Sequence, residues 1–216
     1  MATSMDKLFV REYERKNGDI LRINQCEIGD VGCVVWDAAL VLCSFLESAY
    51  FLELCDGTVY GKRAIELGAG TGIVGIQAAC QGLDCIITDL PDFVQLMSLN
   101  IETNQKLCNG DIKASALQWG KDDHLYHSPD VLLLADCIYY EESIEPLVST
   151  ISKLSNNDTL VLCCYEERVT DNKPVLQSRF FELIKKNFDV QKVPLEKQDP
   201  FYHSDDIHIM IFKKRR

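Results

Sequence analysis

No stretch of the 216-residue sequence carries the ~20 consecutive apolar residues that a membrane span needs, so a bilayer is not the expected environment. Met1–Lys7 lacks the basic region followed by an apolar one that marks a secretory leader, and export is not expected either. Basic residues are in short supply: 22 Lys and Arg stand against 33 Asp and Glu, a formal charge of −11. That balance disfavours a nucleic-acid backbone as partner and suits a basic protein segment, such as one presenting a lysine. Histidine is sparse at four residues, in the loose pairs His124/His127 and His203/His208, with no cysteine at zinc-ligand spacing nearby. They read as surface or loop residues, and no metal is expected. The ten cysteines never form C-x-x-C and fall mostly inside apolar patterns, which excludes a disulfide framework and implies reduced core thiols. A cytoplasmic chain, present also in the nucleus, is the expected location. Repeats, linkers and low-complexity segments are absent, so residues 1–216 read as a single domain and a monomer. A hairpin and helix (1–58) precede a core (59–216), and 47% apolar content is ample to bury it. Lys213–Arg216 reads as a solvated basic tail.

What is present is organised around Glu66-Leu67-Gly68-Ala69-Gly70-Thr71-Gly72, a glycine turn between the apolar pair Ala64-Ile65 and the helical pattern Ile73, Val74, Ile76, Ala79. Alternating glycines let backbone N–H groups approach a ligand at the positive end of a helix. Two frames fit. Gly70–Gly75 matches G-x-G-x-x-G and would serve an NAD(P)-dependent oxidoreductase, whereas the longer frame from Glu66 matches E-x-G-x-G-x-G. Glu66 decides in favour of the longer one, because a carboxylate suits a cationic ligand better than a pyrophosphate. S-adenosylmethionine, which carries a sulfonium and an ammonium and no phosphate, is the expected cofactor.

Along the chain, Phe9–Glu14 and Ile20–Asn24 flank Asn17-Gly18, a pair that predicts a type I′ hairpin. Trp36 stands before a helical run that begins near Ala39, with Asp37 as its expected N-cap. Strands are expected over Asp84–Asp89, Ile112–Leu117, Asp130–Asp136, Thr159–Tyr165, Val190–Val193 and Ile207–Phe212. Helices are expected over Phe93–Asn104, Glu142–Leu154 and Val175–Asn187. Asp89 ends the strand after the glycine turn, where a carboxylate accepts hydrogen bonds from ribose hydroxyls; capping the next helix is its other reading. Asp130–Asp136 is the most continuous apolar strand, hence the sheet centre, and it delivers Asp136, Tyr139 and Tyr140 to the edge that carries the glycine turn. Asp136 also has a helix-cap reading, and Trp36 and Trp119 each read as core or as cofactor wall.

These residues resemble the Rossmann-like class I methyltransferases, and among them the protein-lysine methyltransferases of methyltransferase family 16. The resemblance rests on Glu66–Gly72 as cofactor loop, Val34-Val35-Trp36-Asp37 as the upstream tryptophan motif, and Asp136-Cys137-Ile138-Tyr139 as D-x-x-Y after the fourth core strand. It implies an α/β fold with a seven-stranded, mostly parallel sheet, helices on both faces and an N-terminal β-hairpin extension. It implies contacts to S-adenosylmethionine from Trp36, Gly68, Ala69, Gly70, Asp89, Trp119 and Ala135, joined by Glu66 from the reading of the turn. Gly32–Ala39, Ala135–Ser143 and Pro194–Lys197 look most like the member that acts on valosin-containing protein, a hexameric AAA ATPase. The resemblance therefore implies a protein substrate of that type. Asp136 is then expected to dock the substrate ammonium and orient its amine, and Tyr139 to wall the lysine channel.

Overall fold

The computed structural model describes residues 7–27 and 29–216. Met1–Asp6, within the segment that shows no leader pattern, and Ile28 lie outside the described residues. Strands β1 (Leu8–Glu14) and β2 (Ile20–Cys26) pair antiparallel, with Leu8 opposite Cys26 and Glu14 opposite Ile20. The turn differs from the expected type I′. Gly18 has φ +87° while Asn17 stays out of the positive region, and the Gly18 N–H donates to the Arg15 carbonyl at 2.9 Å. Type I′ requires positive φ at both central residues. Here the Asn17 side chain instead accepts the Asp19 N–H at 3.1 Å, an Asx turn that leaves only the glycine left-handed.

Helix α1 (Asp37–Phe45) starts on Asp37 with extended Trp36 in the N-cap place, so Asp37 is a first-turn residue and not the cap. Its carboxylate still opposes the positive helix end and lies 3.9 Å from Arg11. A short helix that the apolar pattern did not announce, α2 (Ala49–Leu54), follows under a Ser48 cap that accepts the Phe51 N–H at 3.0 Å. Then come β3 (Arg63–Leu67), α3 (Ile73–Gln81), β4 (Asp84–Asp89), α4 (Val94–Asn104), β5 (Ile112–Ala116), β6 (Val131–Ala135), α5 (Glu141–Leu154), β7 (Leu160–Glu166), α6 (Lys173–Ile184), β8 (Phe188–Lys192) and β9 (Ile207–Lys214).

The last seven of these strands make one sheet in the order β5-β4-β3-β6-β7-β9-β8, with β6 at its centre as its unbroken apolar run requires. Strands β3 to β7 run parallel, and β9 is antiparallel to both its neighbours. Strand alternation sends Ala64, Leu133 and Leu162 to one face, where Leu42, Ile76 and Leu96 of α1, α3 and α4 cover them. Ile65, Leu132 and Val161 meet Leu147, Ile151 and Phe180 of α5 and α6 on the other. All ten cysteines are free, and nine are buried. Order reverses between β3 and β6, and a sheet of this kind binds ligands outside the carboxyl ends of the strands at such a switch point.

The hairpin is fastened to the core by side-chain amides. Asn100 Oδ1 accepts the Asn24 N–H at 2.7 Å and Asn104 Oδ1 the Arg22 N–H at 2.9 Å. Their amide nitrogens donate to the carbonyls of Asn24 and Arg22 at 3.0 and 2.9 Å. Two asparagines one helical turn apart thus pair with the free edge of β2 as another strand would. The Asn100 amide also donates to the Thr71 carbonyl in the glycine turn at 2.9 Å. The C-terminal lysines are only partly a solvated tail: Lys214 ends β9 and its ammonium donates to the Ser152 and Ser155 carbonyls at 2.6 and 2.9 Å, closing the C-terminus of α5.

Candidate functional site

Strand β3 ends at Leu67 and the chain turns through Gly68 (φ +63°) and Gly70 (φ +54°), a region that side chains with a Cβ resist. Space is as tight as the dihedrals. A Cβ on Gly68 would stand 2.8 Å from Cys137 Sγ and 2.9 Å from Trp119 Cζ2, and one on Gly70 would stand 2.6 Å from the Gly32 carbonyl oxygen. The turn is therefore wedged between the end of β6, the Trp119 ring and the loop ahead of α1.

Two carboxylates hold it there. Asp89, at the end of β4, accepts the Gly70 N–H through Oδ2 and the Leu90 N–H through Oδ1, each at 2.7 Å. It does not cap α4, which starts after Phe93 without a side-chain cap. Burial pushes the Asp89 carboxyl up to about 6, against the pull of its two N–H donors. Glu66 is buried and accepts the Gly75 N–H at 2.8 Å, so it reaches beneath the turn into the first turn of α3. Burial lifts its carboxyl to about 8, with the Gly75 bond opposing.

The turn opens on a cavity of about 570 Å³, within the range of drug-sized ligand sites. Trp36, Glu66, Gly68, Ala69, Gly70, Asp89, Trp119, Ala135, Asp136 and Tyr139 all line it. Trp36 is 40% exposed at the mouth, its indole N–H donating to the Val31 carbonyl at 2.8 Å, so it is no core residue. Trp119 is half-buried against Gly68. The Tyr139 phenol, pushed up by burial, lies beside Tyr140 at a ring separation of 4.5 Å.

Asp136 has the left-handed φ of +55°, uncommon for a residue with a side chain, with its backbone N–H on the Cys164 carbonyl at 2.8 Å. It does not cap α5, which begins at Glu141 behind an uncapped Tyr140. Its carboxylate, expected to receive the substrate ammonium, already has a partner in Arg168, whose Nη2 donates to Asp136 Oδ2. The same nitrogen donates to Glu166 Oε2 at 2.8 Å, and the guanidinium lies 5.3 Å from the centroid of the Trp36 ring. Burial raises the Asp136 carboxyl and the Arg168 charge opposes the rise. Lys173, also unforeseen, donates to the Tyr139 carbonyl at 2.7 Å. Nothing local in the sequence announces either cation; Arg168 lies in the connection between β7 and α6, and Lys173 is the first residue of α6.

The cradle fits a nucleoside that carries positive charge better than a pyrophosphate. The Gly70 N–H, which a phosphate would need, is already held by Asp89, whose half-buried carboxylate would face the anion. Asp89 keeps a free lone pair on each oxygen for ribose hydroxyls, and Trp36 and Trp119 offer flat faces.

A family model described as "Lysine methyltransferase" matches residues 15–187. Protein N-lysine methyltransferase METTL21A of Danio rerio is 38% identical over 184 residues, which cover 83% of this chain and 76% of that protein. EEF1A lysine methyltransferase 3 of Mus musculus is 42% identical over 125 residues, 57% of this chain and 51% of that one. Among solved structures, the Synechocystis magnesium protoporphyrin IX methyltransferase with bound S-adenosylhomocysteine superposes with a TM-score of 0.57 at 14% identity, over 83% of this chain and 84% of that one. A T. thermophilus 16S rRNA methyltransferase in complex with S-adenosylmethionine and guanosine gives 0.64 at 16% identity, over 97% of this chain and 51% of that one. These two likenesses speak for the fold alone.

Proposed function

The chain belongs to the lysine methyltransferase family and is a protein-lysine N-methyltransferase dependent on S-adenosylmethionine, and for the way its residues carry out that reaction we propose the following division of labour. One observation carries it: the glycine turn, Asp89 and Asp136 open on a single cavity at the switch point of the sheet. When bound, S-adenosylmethionine supplies a methyl group on a cationic sulfur. Asp89 accepts the ribose hydroxyls, Gly68 to Gly70 give close backbone approach, and Trp36, Trp119 and Ala135 wall the adenosine. Glu66 acts from beneath, holding the turn against α3 through Gly75.

Asp136 receives the substrate's ammonium and fixes the direction of the nitrogen lone pair, while Tyr139 lines the entry. Alignment is most of what the protein has to supply. The remainder concerns a proton: a free lysine titrates near ~10.4, so holding its amine neutral at pH ~7.4 costs about 4 kcal/mol. Desolvation in the cavity, together with the positive sulfur that the bound cofactor would bring beside the amine, shifts that balance toward the neutral amine.

For the substrate we favour a AAA ATPase of the valosin-containing-protein type, supported by the likeness of Ala135–Ser143 and Pro194–Lys197 to the family member that acts on it. A second reading, elongation factor 1A, draws on the 42% identity to the mouse enzyme named for it. Incubating purified enzyme and labelled S-adenosylmethionine with each recombinant protein, then mapping the labelled lysine by mass spectrometry, tests both. Label in the elongation factor alone would overturn the first reading, and label in neither would overturn the pair.

A further inference from the structure

The proposal for Asp136 meets an obstacle in the structure: the carboxylate meant for the substrate is already taken. The Asp136 side chain is only 8% exposed and that of Arg168 22%, so with the guanidinium in place a lysine cannot reach the carboxylate. The site around Arg168 is that of a cation in general. It has the Asp136 carboxylate on one side, the Glu166 carboxylate on another, and the Trp36 ring at 5.3 Å offering its face.

We propose that Arg168 is a specificity-determining gate: its guanidinium keeps the place of the substrate's ammonium between Asp136 and Trp36 and yields it only to another cation. The inference rests on the reading of Asp136 given above. Its physical basis is charge balance. Pulling the guanidinium away from a buried carboxylate and putting a neutral side chain in its place leaves an uncompensated charge, which is costly, whereas an entering ammonium restores the pair. The swap of one cation for another is close to neutral in electrostatic terms. A landing place exists as well. Arg168 Nε and Nη2 both donate to Glu166 Oε2, at 3.2 and 2.8 Å, so the side chain stays tethered at the rim when Asp136 releases it.

The test uses the folded enzyme saturated with S-adenosylhomocysteine and n-butylammonium as a probe of the lysine side chain, with binding followed by NMR at pH ~8.5, where carboxylates are ionised. Arg168→Ala is expected to bind n-butylammonium at least about 5-fold more tightly than wild type, while n-butanol binds both alike and weakly. Methylguanidinium should compete with the probe in Arg168→Ala and have far less effect in wild type, and Arg168→Lys, which keeps a cation at the rim, should stay near wild type. Equal or weaker n-butylammonium binding by Arg168→Ala overturns the gate, as does a gain shared by n-butanol. Circular dichroism establishes that the variants are folded, and Arg168→Gln repeats the test should the alanine variant not be. Adding Asp136→Asn separates the two ideas: if the double variant keeps the gain, Asp136 is not the receiving group; if the gain never appears although Asp136→Asn alone abolishes turnover, only the gate fails.

Discussion

Glu66 and Asp136 are both carboxylates at the ends of core strands, yet their partners make them different in kind. Glu66 has a backbone N–H and, among the described residues, no cation beside it, and burial raises its carboxyl from 4.5 to about 8. A raised acid holds its proton in the fold after the unfolded chain has lost it. Its contribution to stability is therefore whole below about pH 4.5 and is lost as pH rises through about 8. Glu66→Gln cannot ionise, so it should match wild type near pH 5 and exceed it at pH 9 by on the order of 5 kcal/mol, from ~1.36 kcal/mol per unit. Denaturant titrations at the two pH values check this, and a constant difference would show that Glu66 is ionised in the fold throughout. Asp136, balanced by Arg168, stands to lose function where Glu66 affects stability. Asp136→Asn keeps the shape and removes the charge; turnover should fall at least ~100-fold, about 2.7 kcal/mol, with cofactor affinity within a factor of about three. Single-turnover rates beside calorimetry decide it, and near-normal turnover would remove Asp136 from the reaction. For Asp89→Ala, loss of acceptors for the ribose and for Gly70 should weaken S-adenosylmethionine by about 1.5–3 kcal/mol, read by calorimetry.

At the scale of elements, helix α4 is more than a cover for the sheet. Asn100, fully buried, ties β2 to the glycine turn through Asn24 and Thr71. Asn100→Leu should cost about 3 kcal/mol or more, because it leaves several backbone groups without partners. Hydrogen exchange at the amide of Asn24 should quicken, and cofactor affinity should drop with the loosened Thr71. Stability unchanged in denaturant would mean that water replaces the amide. None of this clasp was legible in the sequence, whereas most of the sheet was. Strands β3, β4 and β6 read correctly because a parallel strand inside the sheet has to be an apolar run, and glycine or aspartate marks where each one stops; β5, at the sheet edge with Lys113 exposed, and β7, which ends at Glu166, carry no such stop. Gly68, Gly70, Asp89 and Asp136 were legible for the same reason, since strand ends locate them. The asparagines of α4 meet partners 76 and 82 positions away, and Arg168 meets Asp136 across 32, separations that no local pattern encodes. The hairpin turn went wrong more narrowly, on whether the Asn17 side chain or its backbone adapts.

Over the whole molecule the charge is −11, and the cavity shares that sign: Asp30, Asp89, Asp136 and Glu142 line it against Arg168 and Lys173. A lysine-bearing surface should be steered in, so kcat/KM at subsaturating substrate should fall several-fold between ~50 and ~500 mM salt while kcat holds. A flat kcat/KM would reject capture by charge. Chain order adds a matter of timing. The hairpin is complete long before its clasp exists, since Asn100 follows Asn24 by 76 residues. At about 5–20 residues per second of synthesis, β2 waits roughly 4–15 s with the backbone groups of Arg22 and Asn24 unpaired. An open strand edge is a template for any other strand. During that interval the nascent hairpin, with Phe9 and Val10 exposed even in the finished fold, is the part of the molecule most in need of a chaperone.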